Sequence, residues 1–260
     1  MNDVLVLKLG GRTQSDPRLA GAIAALWGQH QKRLVIVHGG GDQVSALQRL
    51  RGEEPQFVGG RRVTTPLALE LVRMALSGLA NKQLVAALTA EGLPAVGISG
   101  EDDRMLRALP IDPQTFGLSG TPESVDVTLL ESLMTGGYLP VVSPVAASDA
   151  ARGEALNVNG DDAAAAIAAA LDASELFLMA DVEGVLDENR MLIRNLSLAQ
   201  AQQLIDSGTA GGGMAAKLQA CARALSGGVA RVRIGDIDAL GRADAGTAIA
   251  QDHNAIQRVQ

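Results

Sequence analysis

Short runs of β-branched and leucine residues recur along this chain, several of them ending in glycine, and a helical pattern follows most of them. Residues 4–9 precede Gly10-Gly11, residues 34–37 precede Gly39-Gly40-Gly41, and residues 95–98 precede Ser99-Gly100. Runs at 139–142, 176–179 and 231–234 have the same character. Continuous apolar runs suit parallel strands buried on both faces. Between them, the spacing predicts helices over 17–30, 42–50, 66–91, 125–135, 161–171, 198–207 and 213–225. Strands alternating with helices predict an α/β chain, a three-layer αβα sandwich with a mainly parallel central sheet. Ligands in such folds gather at the carboxyl ends of strands, where these glycine loops would lie.

Two segments break the alternation. Residues 55–65 carry Gly59-Gly60-Arg61-Arg62 between β-formers and read as a hairpin or flap. Residues 104–121, with Pro110, Pro113, Gly117 and Gly120, read as an irregular β excursion. A modest boundary near 172–174 divides the chain into an N-terminal lobe, 1–172, and a C-terminal lobe, 173–260.

Composition narrows the function. Five aromatic residues and a formal net charge of −7 oppose a nucleic-acid partner, since neither stacking platforms nor a basic surface is available. No apolar stretch approaches the ~18 residues of a membrane span, and the N-terminus lacks the form of a secretory signal. The expectation is a cytoplasmic protein. Its one cysteine, Cys221, falls at helical spacing among Ala and Leu and reads as a small buried hydrophobe. Of 22 basic residues only four are lysine: Lys8, Lys32, Lys82 and Lys217. Two of these four stand beside glycine loops.

Lys8 ends the first run and is followed by Leu9-Gly10-Gly11; main-chain N–H groups in such a turn can approach a phosphate closely. Residues 208–217, Gly-Thr-Ala-Gly-Gly-Gly-Met-Ala-Ala-Lys, place a glycine loop at a helix start with Lys217 just inside it. N–H donors, the positive end of the helix dipole and an ammonium would then surround one anion. His38, before Gly39-Gly40-Gly41, reads as a packed or loop-orienting histidine, because no partner stands at base or metal-ligand spacing. Asn157 and Asn159 alternate onto one side of an extended segment and suit a carboxylate ligand, with Asp161 or Asp162 capping the helix that follows. Neither a P-loop nor the Gly-x-Gly-x-x-Gly fingerprint is present. Two lysines far apart in sequence, each at a glycine loop, suggest a phosphoryl group held from both sides.

In this order the motifs resemble those of the amino-acid kinase family. They are Lys-Leu-Gly-Gly at 8–11, Val-Ile-Val-His-Gly-Gly-Gly at 35–41, Gly-Arg-Arg-Val-Thr at 60–64, Asn-Lys at 81–82 and Ser-Gly-Glu-Asp at 99–102. Gly-Tyr-Leu-Pro-Val-Val-Ser-Pro at 137–144, Asn-Val-Asn-Gly-Asp at 157–161, Asp-Val-Glu-Gly-Val-Leu-Asp at 181–187 and Gly-Gly-Met-Ala-Ala-Lys at 212–217 continue the series. The resemblance implies phosphorylation of the side-chain carboxylate of N-acetyl-L-glutamate by ATP with Mg2+, a step of arginine biosynthesis. It implies that Lys8 and Lys217 stabilise the transferring phosphoryl group and that Asp161 orients both. Gly40, Gly41, Arg62, Asn157 and Asn159 would hold the acceptor. Gly10 and Gly11, then Asp181, Val182, Glu183, Gly184, Val185 and Leu186, with Thr209, Ala210 and Gly211, would line the nucleotide site. No protein metal site is expected.

Where the family has Gly-x-Arg-Val-Thr, this chain has paired arginines, and register on Val63-Thr64 favours Arg62 as the carboxylate clamp. Lys82 reads as structural or solvated and Lys32 as a surface charge. The first strand begins by residue 4 without a preceding helical extension, and in this family that implies a homodimer lacking arginine inhibition by that route. A kinase for an aminoadipate derivative in lysine biosynthesis and a non-catalytic amino-acid sensor are the competing readings.

Overall fold

The computed structural model describes residues 4–30, 33–151 and 153–251, so Lys32 lies outside the described residues. The strands are β1 (Leu5–Leu9), β2 (Leu34–His38), β3 (Phe57–Val58), β4 (Arg61–Arg62), β5 (Ala95–Gly100), β6 (Leu106–Pro110) and β7 (Ser119–Val125). They continue with β8 (Leu139–Ser148), β9 (Ala155–Val158), β10 (Glu175–Met179), β11 (Asn195–Ser197), β12 (Val232–Gly235) and β13 (Thr247–Ala250). The helices are α1 (Leu19–Gln29), α2 (Gly41–Leu50), α3 (Pro66–Val72), α4 (Asn81–Ala90), α5 (Pro113–Phe116) and α6 (Thr128–Thr135). α7 (Gly160–Ala170), α8 (Leu198–Asp206) and α9 (Gly212–Ser226) complete the set.

Eleven strands form one sheet in the order β11-β13-β12-β10-β1-β2-β8-β6-β7-β9, with β5 also paired to β8. The centre is parallel throughout: β12, β10, β1, β2, β8 and β5 each run alongside the next. Antiparallel pairs occur toward the ends, at β12–β13, β6–β7 and β8–β9. β1 shows why the sheet is covered on both faces. Val4 and Val6 point into a cluster with Ala163, Ile167, Leu218 and Cys221 of α7 and α9. Leu5, Leu7 and Leu9 point the other way, onto Ile23 and Trp27 of α1 and Leu84 and Leu88 of α4. The alternating side-chain direction of a strand thus builds two aliphatic cores, each fully buried Leu, Ile or Val contributing about 1.5–3 kcal/mol. This is the three-layer αβα sandwich that the sequence predicts.

Several boundaries differ from the sequence reading. The excursion at 104–121 resolves into the hairpin β6–β7 with short α5 between its strands. Val125 belongs to β7, paired with Leu106, so the next helix starts at Thr128. The single helix expected over 66–91 winds as α3, a π-helical segment at Arg73–Ala80, and α4. A change of winding leaves a similar run of apolar residues, so periodicity alone does not reveal it. β11 and β13 are too short to announce themselves. Residues 55–65 do form a hairpin: β3 and β4 pair antiparallel around Gly59-Gly60, whose φ angles of 55° and 80° suit glycine. At the anticipated boundary the chain makes a turn, and β10 pairs with β1 soon after it.

Candidate active site

On β1, Lys8 occupies the same face as Val4 and Val6, where an apolar residue would continue the α7-side core. It is buried nonetheless, and its ammonium meets the first turn of α7: Lys8 Nζ lies 2.7 Å from Asp161 Oδ1. α9 packs along α7 and brings Lys217 Nζ to 3.1 Å from both oxygens of the same carboxylate. Burial alone would raise the Asp161 pKa, but the two ammonium groups outweigh it and hold the carboxyl at about 2. Burial lowers the Lys8 pKa although Asp161 opposes it, and the Lys217 charge adds to the lowering. The sequence reading gave the capping of α7 to Asp161 or Asp162. Asn159 performs it instead, its side-chain oxygen accepting from the N–H groups of Asp161 and Asp162. Both carboxylates are thereby left to bind cations.

A cavity of about 230 Å³ opens beside this triad. Its lining includes Lys8, Gly11, Gly40, Gly41, Arg62, Asn157, Asn159 and Asp161. It therefore gathers all five residues expected to hold the acceptor, together with two of the three expected catalytic groups. Arg62 enters from β4: its guanidinium donates to the Gly41 carbonyl and to Ser45 Oγ, each at 2.9 Å, and to Gln48 Oε1. Phe57 of β3 stacks on it, 4.7 Å from ring centre to guanidinium carbon. The neighbouring Arg61 also lines the cavity, but its guanidinium donates to Asp162 Oδ2 at 2.7 Å, whereas that of Arg62 bonds to α2.

Other polar groups that support this wall escaped the sequence reading. Gln48 is buried on the same helical face as Val44, four residues earlier, and a glutamine at an apolar-stripe position was the available signal. Asn157 Nδ2 donates to Thr64 Oγ1 at 3.0 Å, Thr64 and Ser119 hydroxyls meet at 2.8 Å, and Ser119 Oγ donates to the Arg62 carbonyl at 2.6 Å. This chain of bonds fixes the base of the hairpin, and only the fold brings its members together.

His38 is fully buried. Nδ1–H donates to the Gly39 carbonyl at 2.9 Å and Nε2 accepts from Asn81 Nδ2 at 3.1 Å, the tautomer those partners require. Burial drives its pKa down to about 4, so it orients the glycine loop as a neutral ring. Lys82 is likewise structural, donating to Asn81 Oδ1 and the Gly97 carbonyl. Cys221 is buried and its thiol pKa is raised by desolvation.

The glycine loops meet where the strands end. Gly39 N–H donates to the Leu9 carbonyl at 3.1 Å, and a Cβ on Gly11 would lie 3.7 Å from the Gly40 nitrogen. At Gly40, φ is 154° and a Cβ would approach Leu76 to 2.7 Å, so the backbone is pressed against the π-helical segment. α2 and α9 start at Gly40 and Gly211 without a side-chain cap, in contrast to α3, α7 and α8, whose caps are Thr65, Asn159 and Ser197. Uncapped glycine starts leave N–H donors for a ligand anion. Of the remaining residues expected at a nucleotide, Asp181, Val182 and Glu183 are exposed after β10. Val185 and Ala210 are instead turned into the α7–α9 core, and both main-chain groups of Val185 are taken by Thr247 and Ile193. Those two positions support the loops from beneath. Among the described residues, no group of three or more His, Cys, Asp and Glu side chains is placed to hold a metal ion.

Comparisons with known proteins bear on this site. Residues 3–236 match the Amino acid kinase family. An acetylglutamate kinase of Sulfurovum sp. (strain NBC37-1) is 37% identical over 238 residues, covering 90% of this chain and 84% of its own. That of Brucella anthropi is 41% identical over 248 residues, covering 90% and 83%. Among solved structures, smu.665 from Streptococcus mutans UA159 superposes with a TM-score of 0.86 at 30% identity, covering 96% of this chain and 99% of that one.

Proposed function

This chain belongs to the amino acid kinase family, and from that premise we propose that it transfers the γ-phosphoryl group of ATP to the side-chain carboxylate of N-acetyl-L-glutamate, forming the acyl phosphate used in arginine biosynthesis. The observation that carries this reading is the pair Lys8 and Lys217 on one Asp161 carboxylate, at the wall of a cavity that also holds the Arg62 guanidinium. The curated relatives, named acetylglutamate kinases, supply the acceptor.

The residues suit the reaction. A side-chain carboxylate is ionised at neutral pH, so the nucleophile needs no general base. Phosphoryl transfer between such groups depends on positioning and charge stabilisation. Lys8 and Lys217 provide two ammonium groups for the charge that builds on the phosphoryl oxygens, and Asp161 keeps them from repelling each other in the resting site. Arg62 offers a planar fork to the acceptor α-carboxylate, and Asn157 and Asn159 present amides to the same molecule. Bound MgATP supplies the phosphoryl group. The uncapped glycine start of α9 and Lys217 fit its phosphates, while Mg2+ would be held chiefly by those phosphates.

Within this proposal residues 1–172 hold the acceptor and residues 173–260 the nucleotide. No helix among the described residues is long and apolar enough to cross a membrane. The proposal places the enzyme in the cytoplasm as a homodimer. Met74 and Leu79, both exposed on the π-helical segment, offer an apolar face for a second copy, and sedimentation of the purified protein tests that state.

A hydroxamate assay tests the reaction itself. ATP-dependent hydroxamate should form with N-acetyl-L-glutamate and not without an acceptor. A preference for N-acetylaminoadipate would move the activity to lysine biosynthesis, and no product with either acceptor would overturn the kinase reading.

A further inference from the structure

Asp161 and Asp162 are consecutive in the first turn of α7, and each takes two cations, one of them from α9. Asp161 takes Lys8 and Lys217. Asp162 takes Arg61, 2.7 Å from its Oδ2, and Arg223, which bonds to its Oδ1. The Asp162 side chain is 3% exposed, whereas Arg61 and Arg223 are 27% and 46% exposed. A buried carboxylate with a guanidinium on each oxygen is a fixed joint between the elements those arginines come from. Those elements are the β3–β4 hairpin and α9.

The hairpin is pinned on both sides. Arg62 attaches it to α2 across the acceptor cavity, and Arg61, one residue earlier and directed the opposite way, attaches it to α7 and α9. A second cavity of about 300 Å³ lies beneath that attachment, lined by Gly59, Gly60, Arg61, Asp162, Gly212 and Gln219 among others. The Arg61–Asp162–Arg223 joint reaches α9 at Arg223 in its last turn, while Lys217 ties the second turn of the same helix to the neighbouring Asp161.

We propose that Asp162 is a positioning residue that couples the two binding events. Through Arg61 and Arg223 it links the hairpin, which carries the acceptor clamp, to the helix that carries Lys217 and the nucleotide-facing glycine start. An acceptor that orders the hairpin then also steadies α9, and a nucleotide at α9 steadies the hairpin. The two ligands bind each other's complex more tightly than the free protein, by the same factor in either order. This inference rests on the acceptor and nucleotide assignments above.

The test combines a ligand-free and a ligand-dependent measurement on the full chain. By hydrogen–deuterium exchange without ligands, Arg61→Gln should speed exchange several-fold both in the hairpin and in α9 around Arg223. Arg61→Lys should restore part of the protection. By calorimetry, the affinity for a non-hydrolysable MgATP analogue should rise about fivefold or more on saturation with N-acetyl-L-glutamate, within the usual range of coupling. In Arg61→Gln that factor should fall below about twofold, with each ligand alone bound within about threefold of the wild type. Arg223→Gln should reduce the factor as well, from the α9 side. Faster exchange confined to the hairpin, or an unchanged coupling factor in Arg61→Gln, overturns the inference. So does a wild type that binds the two ligands independently. A paired exchange response in Arg61→Gln, together with a wild type that does not bind N-acetyl-L-glutamate, supports the joint and removes the acceptor assignment instead.

Discussion

Lys8 and Lys217 reach the same oxygen of Asp161, at 2.7 Å and 3.1 Å, although one ends a strand and the other lies in the second turn of a distant helix. Two like charges are stable this close only because the carboxylate lies between them. A phosphoryl group entering the site brings further negative charge to the same pair.

Removing either ammonium should lower turnover far more than it changes substrate affinity. For Lys8→Ala and Lys217→Ala the expected fall in kcat is about 10²–10³-fold, the effect of deleting one preorganised charge-stabilising group. Lys82→Ala should be much milder, because Lys82 bonds to Asn81 and the Gly97 carbonyl rather than to Asp161. Steady-state kinetics of the three variants would refute the assignment if Lys82→Ala were as damaging as Lys217→Ala.

Arg62→Ala should act mainly on the acceptor. Its KM should rise by about 10²-fold with a smaller change in kcat, in keeping with the loss of about 2–3 kcal/mol from a charge-assisted bond. Arg62→Lys should recover little, since a lysine supplies neither the bidentate fork nor the same stacking on Phe57. An Arg62→Lys enzyme with the wild-type acceptor KM would remove the clamp.

Asp161 makes stability depend on acid. Its folded pKa of about 2 lies below the ordinary 3.8 of an aspartate, so the unfolded chain takes up a proton first as pH falls. The stabilisation is complete above about pH 4 and disappears as pH drops through 2, amounting to about 2 kcal/mol. Urea midpoints measured from pH 5 down to 2 should fall less steeply for Asp161→Asn than for the wild type. Parallel curves would contradict the charge assignment.

His38 works in a higher window. Its pKa falls from 6.5 to about 4 on folding, so the unfolded chain binds the extra proton between those values. Its contribution is full above about pH 6.5 and is lost as pH approaches 4, about 3 kcal/mol in all. An imidazole titration near 4 by NMR, and no kinetic limb near pH 6.5 attributable to this ring, are the expected outcomes. A His38 midpoint near 6.5 would show an open, solvated ring instead.

The sheet, the two covering layers and the glycine loops were legible because each rests on local pattern: uninterrupted apolar runs, helical spacing, glycine at strand ends. The lysines at 8 and 217 could be paired in advance because each stood at its own loop. The polar groups that brace the cavity wall were not legible. Gln48, Thr64 and Ser119 are ordinary residues until the chain brings α2, the hairpin and β7 together. The helix cap was misplaced for a related reason: Asn159, Asp161 and Asp162 can each cap a helix, and only the lysines and arginines arriving from elsewhere decide which of them does. Val185 and Ala210 fell inside recognisable motifs, yet the fold uses them as support beneath the loops.

The pairing of β1 with β10 sets how this molecule can move. Leu5 to Lys8 stand in register with Glu175 to Leu178, so a backbone ladder crosses the junction at residues 172–174. A door-like swing of one portion about a flexible joint would tear that ladder. A change of twist along the sheet would leave the ladder intact, and Lys8, paired with Leu178, lies within it.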